Sequence, residues 1–477
     1  AGGEVSVAWS LPGGIVEWAE GREAVIRTPQ AAGEHELLAR VKSRGGDAVA
    51  TRRIEIRQVA AETHVAPRLE QVSPSPYLQR TMRLLASSTD QQRNEVRVLF
   101  YGQSITKQDW WWQVADNLQR RFPQARLVIE NRAIGGYSAP YLLRTVERDM
   151  VTFLPDLVLF HVYGPRVEYE QVIRTIRTRT AAEVAIQTDH VNGVPTDEQQ
   201  KTREAMSFEF LPELAARYGC ALIDVRRPWQ RYMDEHQLTP KDLQKDGVHL
   251  NGRGNFLLAE IVKPYLVHDP RAQVREAMTM VKAPKWKKGR MVLEFEGVRV
   301  DAVGESGDAE LLFDGTKPSE DPTLFSYTRP TATWDADWPC VNHVSWRTVP
   351  LVEDWRVRVL EANDDLSAIR FRVTGSKTGE DGEGFSNGRF VSASGRVVLE
   401  PGDWAMKRSF DLRKTPMPKD WEFGWRVVPL FADRYRPGTL IGGCTPGVHR
   451  LELVAGAQKP KIKGFRVWRP LPYLAQR

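Results

Sequence analysis

The sequence predicts an α/β protein: a parallel sheet covered on both faces by helices, with an antiparallel β region on either side. Three observations carry this. Between residues 96 and 266 short apolar runs alternate with longer stretches of helical periodicity. On both sides of that segment apolar and polar residues alternate at period two, with turn residues between the runs. The chain has 477 residues, more than one typical domain, so two or three domains are expected.

Residues 1–70 contain alternating runs at 24–27, 36–41 and 53–56, separated by turns such as Gly45-Gly46-Asp47. This is the signature of a small Ig-like β-sandwich. A Pro-bearing connector, Pro67 and Ser73-Pro74-Ser75-Pro76, opens a second domain over 71–275. Its strands are predicted at 96–101, 127–131, 157–162, 184–188 and 221–224. Helices are predicted at 109–121, 141–151, 169–180, 202–218 and 252–266. Residues 276–477 return to period two, with clean alternation at 291–296, 355–360, 369–373, 448–454 and 462–468. A larger β-sandwich, jelly-roll-like, is expected there.

Residues able to do chemistry collect at the strand ends. Ser104 lies in Val98-Leu99-Phe100-Tyr101-Gly102-Gln103-Ser104-Ile105-Thr106, a hydroxyl on a Gly-containing turn between an apolar strand and a helix. Asp246 and His249 lie in Asp246-Gly247-Val248-His249-Leu250-Asn251, a base and a carboxylate three residues apart before another helix. Each motif alone has a plainer reading, as a common turn or a capped helix start. Together they supply a Ser-His-Asp triad in the chain order Ser, Asp, His. Ligands of parallel sheets sit beyond the carboxyl ends of the strands. Ser104, Gly136, Tyr163 and Asp189-His190 each follow a predicted strand, so all are expected to face one crevice.

The other candidates divide between packing and recognition. Asp189-His190 is a second acid/base pair, readable as a substrate contact or as a rival partner for Ser104. His161, inside an apolar strand, reads as a hydrogen-bonded core histidine. Trp110, Trp111 and Trp112 begin the helix after the serine turn. The spacing Trp111, Val114, Leu118, Phe122 packs that helix on the sheet, and Trp110 is the candidate stacking platform for a sugar ring. Later tryptophans (Trp334, Trp338, Trp346, Trp404, Trp421 and Trp425) suit a core, a domain interface or a carbohydrate-binding face equally.

These motifs resemble those of the SGNH, or GDSL-like, hydrolases over roughly residues 95–266. The resemblance implies a flavodoxin-like three-layer domain in which Ser104 is the nucleophile, His249 the base and Asp246 its orienter. Asn131-Arg132-Ala133-Ile134-Gly135-Gly136-Tyr137-Ser138 resembles the family's second motif, which makes Gly136, or Gly135, an oxyanion donor beside the Ser104 N–H. The sequence departs from the pattern twice. Gln103 stands where Asp usually precedes the serine, and it is expected among the substrate-binding residues. After the strand Leu157-Val158-Leu159-Phe160-His161-Val162 the family has Gly-x-Asn-Asp, whereas this chain has Tyr163-Gly164-Pro165-Arg166. The oxyanion Asn therefore falls on Pro165, which has no side-chain donor and no N–H. Losing one such donor costs about 2.7–4 kcal/mol of transition-state stabilisation, which slows an esterase without abolishing it. Tyr163 and Arg166 are the neighbours able to take over.

Composition narrows the class. No run of eighteen apolar residues reads as a membrane span, and no Gly-rich phosphate loop, zinc-type spacing or EF-hand loop stands out. Three cysteines form no framework, although Cys340 and Cys444 fall in one predicted domain and could pair. The formal charge of +6 favours anionic partners such as acidic polysaccharide. The densest basic run, Lys282-Ala283-Pro284-Lys285-Trp286-Lys287-Lys288, reads as a linker and not as a nucleic-acid patch. The expectation is a secreted or periplasmic serine esterase removing an O-acetyl or similar acyl group from a carbohydrate. No metal, organic cofactor or nucleic-acid partner is implied. The alternatives are a carbohydrate-binding protein on a degenerate hydrolase scaffold, an acyltransferase, and a glycosidic-bond-cleaving variant.

Overall fold

The computed structural model describes residues 64–471, apart from 194–195, 333–334, 415 and 419–420, together with the backbone of five strands between residues 6 and 56. Trp334 and the Gly45 turn position lie outside the described residues. The chain divides into two compact units, residues 1–65 and 66–477. In the first, Ser6–Ser10, Gly33–Ser43 and Gly46–Ile56 form a three-stranded antiparallel sheet, and Ile15–Glu20 pairs with Glu23–Arg27.

The second unit is built around five parallel strands: β1 (Glu95–Gly102), β2 (Arg126–Asn131), β3 (Leu157–His161), β4 (Glu183–Gln187) and β5 (Ala221–Ile223). Their order across the sheet is 2-1-3-4-5, the flavodoxin-like doubly wound arrangement. β1 pairs with both β2 and β3, so the switch point of the winding lies at its carboxyl end, where Ser104 follows. β3 and β4 are buried along their whole length. Continuous apolar runs, not alternating ones, fit a sheet covered on both faces. One core holds Val96, Val98, Phe100, Trp110, Trp111, Val114 and Leu118 under the helix Trp110–Arg121; the other holds Leu99, Tyr101, Phe160, Ile173 and Ile186.

Two predicted helices are interrupted. The expected 141–151 helix is divided into Ala139–Leu143 and Val146–Phe153. Thr145, at the break, bonds the Leu142 carbonyl and the Tyr101 hydroxyl. The expected 202–218 helix begins earlier, at a Thr196 capping box, and passes through a π-helical turn, Met206–Phe210. The helices Gln79–Ala86 and Arg226–Glu235 were not predicted. The first starts just past the proline connector, and the second carries a proline in its own first turn.

The β-rich region after residue 276 is present, with its strands divided between two cores. Arg290–Glu296, Ala309–Phe313 and Val448–Ala455 face Arg299–Gly304, Gly438–Gly442 and Ile462–Trp468 across a core of Leu293, Phe295, Val300, Leu311, Leu451 and Phe465. Between these strands the chain inserts a second antiparallel sheet, which packs Trp355, Val357, Phe371, Phe423 and Trp425. Cys340 lies in this second core and Cys444 in the first. Both are free, which corrects the suggested pairing.

Candidate active site

The serine turn is shaped by one glycine. Gly102 ends β1 where the His161 carbonyl of β3 approaches so closely that any Cβ would overlap it. The turn is held from beneath by Trp110. That indole is fully buried, edge-on to Phe100, and donates its Nε1–H to the Ile105 carbonyl at 2.7 Å. Ser104 Oγ emerges part-buried, 2.9 Å from His249 Nε2. His249 Nδ1 lies 2.8 Å from Asp246 Oδ2 and 3.0 Å from Oδ1. The three residues are therefore connected in the order a triad requires.

The Asp-x-x-His segment is a tight loop closed by its own carboxylate. Asp246 Oδ1 accepts the backbone N–H of His249 at 2.7 Å and of Val248 at 3.1 Å. Desolvation is the largest single influence on Asp246 and raises its pKa. The bonds from the His249 backbone, the His249 ring and the Val248 backbone together outweigh it and hold the carboxyl below its ordinary value. The loop is exposed, with 58% of the Asp246 side chain and 34% of His249 open to solvent.

Neighbouring elements hold the loop in register. Leu250 N–H donates to Gln108 Oε1 at 2.7 Å, which ties the histidine to the serine side. The His190 ring bonds the Val248 carbonyl at 3.1 Å through Nε2. Gln244 Nε2 donates to the Val191 carbonyl at 2.7 Å. Asn251 then caps the helix Gly252–Val262, accepting from the Gly254 N–H.

The glycine loop lies beside the serine turn because the Ile134 N–H donates to the Gly102 carbonyl at 3.1 Å. Gly136 has a φ of +70°, in the left-handed region, and a Cβ there would meet Leu412 and Trp338. Arg408, from the helix Met406–Arg413, donates to the Gly136 carbonyl through Nε at 3.1 Å and stacks on Tyr141 at 4.4 Å. Trp338 also packs on Gly135. Three residues of the inserted sheet region thus back the glycine loop. Sequence reasoning named Trp338 only as one of several tryptophans suited to a core or an interface and missed Arg408 and Leu412, which nothing local in the sequence marks.

Several sequence candidates sit elsewhere than expected. Trp110 is sealed in the core and cannot stack on a ligand. The open ring is Trp112, 61% exposed and stacked on Trp111 at 3.9 Å. Asp189 and His190 are buried and engaged within the protein: Asp189 bonds His161 at 2.9 Å, and His190 bonds the Val248 carbonyl of the loop. His161 is the hydrogen-bonded core histidine expected. Gln103 is likewise buried, its Oε1 accepting from Ser104 Oγ. Tyr163 accepts from Asn192 Nδ2 at 3.1 Å. Arg166 is exposed and stacked on Phe210 at 5.3 Å. Among the described residues no group of three or more His, Cys, Asp or Glu could hold a metal ion, and no helix is long and apolar enough to cross a membrane.

No protein-family model and no curated protein matches the sequence. Solved structures do. CEX, a two-domain esterase active on acetylated mannans, aligns with 82% of this chain and 95% of its own at 14% identity and a TM-score of 0.33. Axe2, an acetylxylan esterase from Geobacillus stearothermophilus, aligns with 37% of this chain and 96% of its own at 18% identity and a TM-score of 0.34. LAE5, an α/β hydrolase enzyme from the metagenome of Lake Arreo, Spain, aligns with 37% and 98% at 19% identity and a TM-score of 0.33. In its own strand order, and in the placement of Ser104 and the Asp-x-x-His loop, the central domain resembles the SGNH/GDSL-like hydrolases.

Proposed function

We propose that the chain is a serine esterase that hydrolyses an acyl ester, an O-acetyl group on a carbohydrate, outside the cytoplasm. The observation that carries this reading is the unbroken run Ser104 Oγ–His249 Nε2 and His249 Nδ1–Asp246, at 2.9 Å and 2.8 Å. Ser104 Oγ attacks the ester carbonyl carbon while His249 Nε2 takes its proton. The Ser104 and Gly136 N–H groups receive the oxyanion of the tetrahedral intermediate. The C–O bond to the sugar breaks as His249 returns the proton to the leaving alkoxide. Water, deprotonated by His249, then releases the acid from Ser104. Asp246 keeps Nδ1 protonated throughout. The carbohydrate part of the reading is supported by Trp112, an exposed ring in the first turn of the helix that follows the serine, since flat aromatic rings pack against sugar C–H faces.

The test is hydrolysis of 4-nitrophenyl acetate and acetylated xylan by wild type and Ser104→Ala. Activity that falls by at least about 10³-fold in the variant, with unchanged thermal stability, is the expected result. A folded wild type inactive on both esters would sink the esterase reading.

A further inference from the structure

The Ser104 hydroxyl has a second hydrogen-bond partner that the triad does not use. Its Oγ stands 2.7 Å from Gln103 Oε1 as well as 2.9 Å from His249 Nε2. A backbone group fixes which way the Gln103 amide points. The Ile105 N–H can only donate, and it lies 3.2 Å from the same Oε1. The amide nitrogen therefore faces the other way, toward His161 Nδ1 at 3.4 Å. With Nδ1 accepting, His161 carries its hydrogen on Nε2 and donates it to Asp189 Oδ1 at 2.9 Å. Gln103, His161 and Asp189 are all buried. Together they form a directed support whose open end is a carbonyl oxygen aimed at the serine.

A serine hydroxyl has one hydrogen and here two acceptors. When His249 is neutral, the hydrogen goes to Nε2 and the serine is ready to attack. When His249 is protonated, Nε2–H donates to Oγ and the serine hydrogen goes to Gln103, so every group is paired but the serine cannot be deprotonated. We propose that Gln103, held by His161 and Asp189, is a positioning residue that stabilises this resting arrangement and so sets the pH at which the triad becomes competent. The inference rests on the triad reading above. Asp246 is the charged partner of His249. Around His161 stand Asp189, His190 and the Tyr163 ring, and Arg226 also acts on His190.

Two substitutions push in opposite directions. Gln103→Met removes the acceptor, and Gln103→Glu replaces it with a charged one. The readout is the proton titration of the His249 ring, followed by carbon-13 NMR of histidine-labelled protein and assigned with His249→Asn; it needs no substrate. The midpoint is expected to fall by about 0.5–1 pH unit in Gln103→Met, the scale of one net hydrogen bond, and to rise in Gln103→Glu. His161→Leu, which unlocks the amide from behind, is expected to follow Gln103→Met to a smaller extent. The acid limb of kcat/KM on 4-nitrophenyl acetate should move in the same directions. Non-specific disturbance would move Met and Glu variants the same way. Shifts of one sign, or none in folded variants, overturn the inference. Opposite shifts in a protein that hydrolyses no ester uphold the resting arrangement and remove the esterase reading instead.

Discussion

The two halves of the proposed triad are built differently. Ser104 sits on a turn packed into the domain: Gly102 against a neighbouring strand, Trp110 beneath, Gln103 buried beside it. Asp246 and His249 sit on an exposed loop held by side chains that reach out to its backbone. Position on the serine side is thus set by packing, which resists small changes until the core itself fails. On the histidine side it is set by individual hydrogen bonds, each removable with the fold left standing. Damage to the first half should appear as lost stability, and damage to the second as lost rate.

Trp110→Ala is the strongest way to break that contrast. A fully buried indole with a bonded Nε1 is removed, and about 3–5 kcal/mol of stability should go with it, read by urea denaturation. A well-folded variant with only its rate reduced would mean that the serine turn, too, is held bond by bond.

His190, which bonds the exposed loop but is itself buried, behaves like the packed side and predicts a pH effect on stability. Burial, the largest cause, lowers its pKa to about 4 despite the attraction of Asp189 and the bond to the Val248 carbonyl. Its Nδ1 is buried with no hydrogen-bond partner, so a proton added there would find no acceptor. In the unfolded chain an ordinary histidine takes up its proton near pH 6.5. Between these values the unfolded state binds more protons. The stability His190 contributes is therefore complete above about pH 6.5 and is lost as pH falls toward 4, by up to about 3 kcal/mol in total. His190→Gln should flatten stability measured by denaturation across pH 4–7. Parallel curves for the two proteins would show that His190 is not the group responsible.

Asp246→Asn sharpens the comparison at the level of rate. With more than half of its side chain in water, the carboxylate acts through solvent-screened charge, unlike the buried aspartate of a closed triad. We expect kcat to fall by about 10–100-fold, well short of the ~10⁴-fold loss known for a buried triad Asp→Asn, with stability near pH 7 almost unchanged. A loss as large as that of Ser104→Ala would show that the loop closes over Asp246 when substrate binds.

The smallest effect is expected at Arg408. Its bonds to the Gly136 carbonyl brace the glycine loop from the inserted sheet region. Arg408→Ala should lower kcat by about 3–10-fold with KM little changed, roughly the worth of one ordinary net hydrogen bond, and Arg408→Lys should recover part of it. A change confined to KM would assign Arg408 to substrate binding and not to the loop.

The sequence by itself determined most of the local elements and pointed to the candidate groups of the proposed site. Five apolar runs separated by helical periodicity are a nearest-neighbour signal, and the strands at 95–102 and 157–161 fall within a residue or so of the expected bounds. The Ser104 turn and the Asp246–His249 loop are likewise short segments, legible because strand, turn and helix cap each leave a local trace. Orientation and burial were not legible. Three adjacent tryptophans differ only in the direction each points from one helical turn, so Trp110 went inside and Trp112 outside by the geometry of the sheet beneath. Asp189 and His190 follow a strand as predicted, yet their burial and their bonds to His161 and the Val248 carbonyl could not be read from the sequence. The Arg408 and Trp338 contacts with the glycine loop join residues about 200–270 positions apart. Only tertiary structure decides such pairs, because close packing between distant segments leaves no period or spacing in either one.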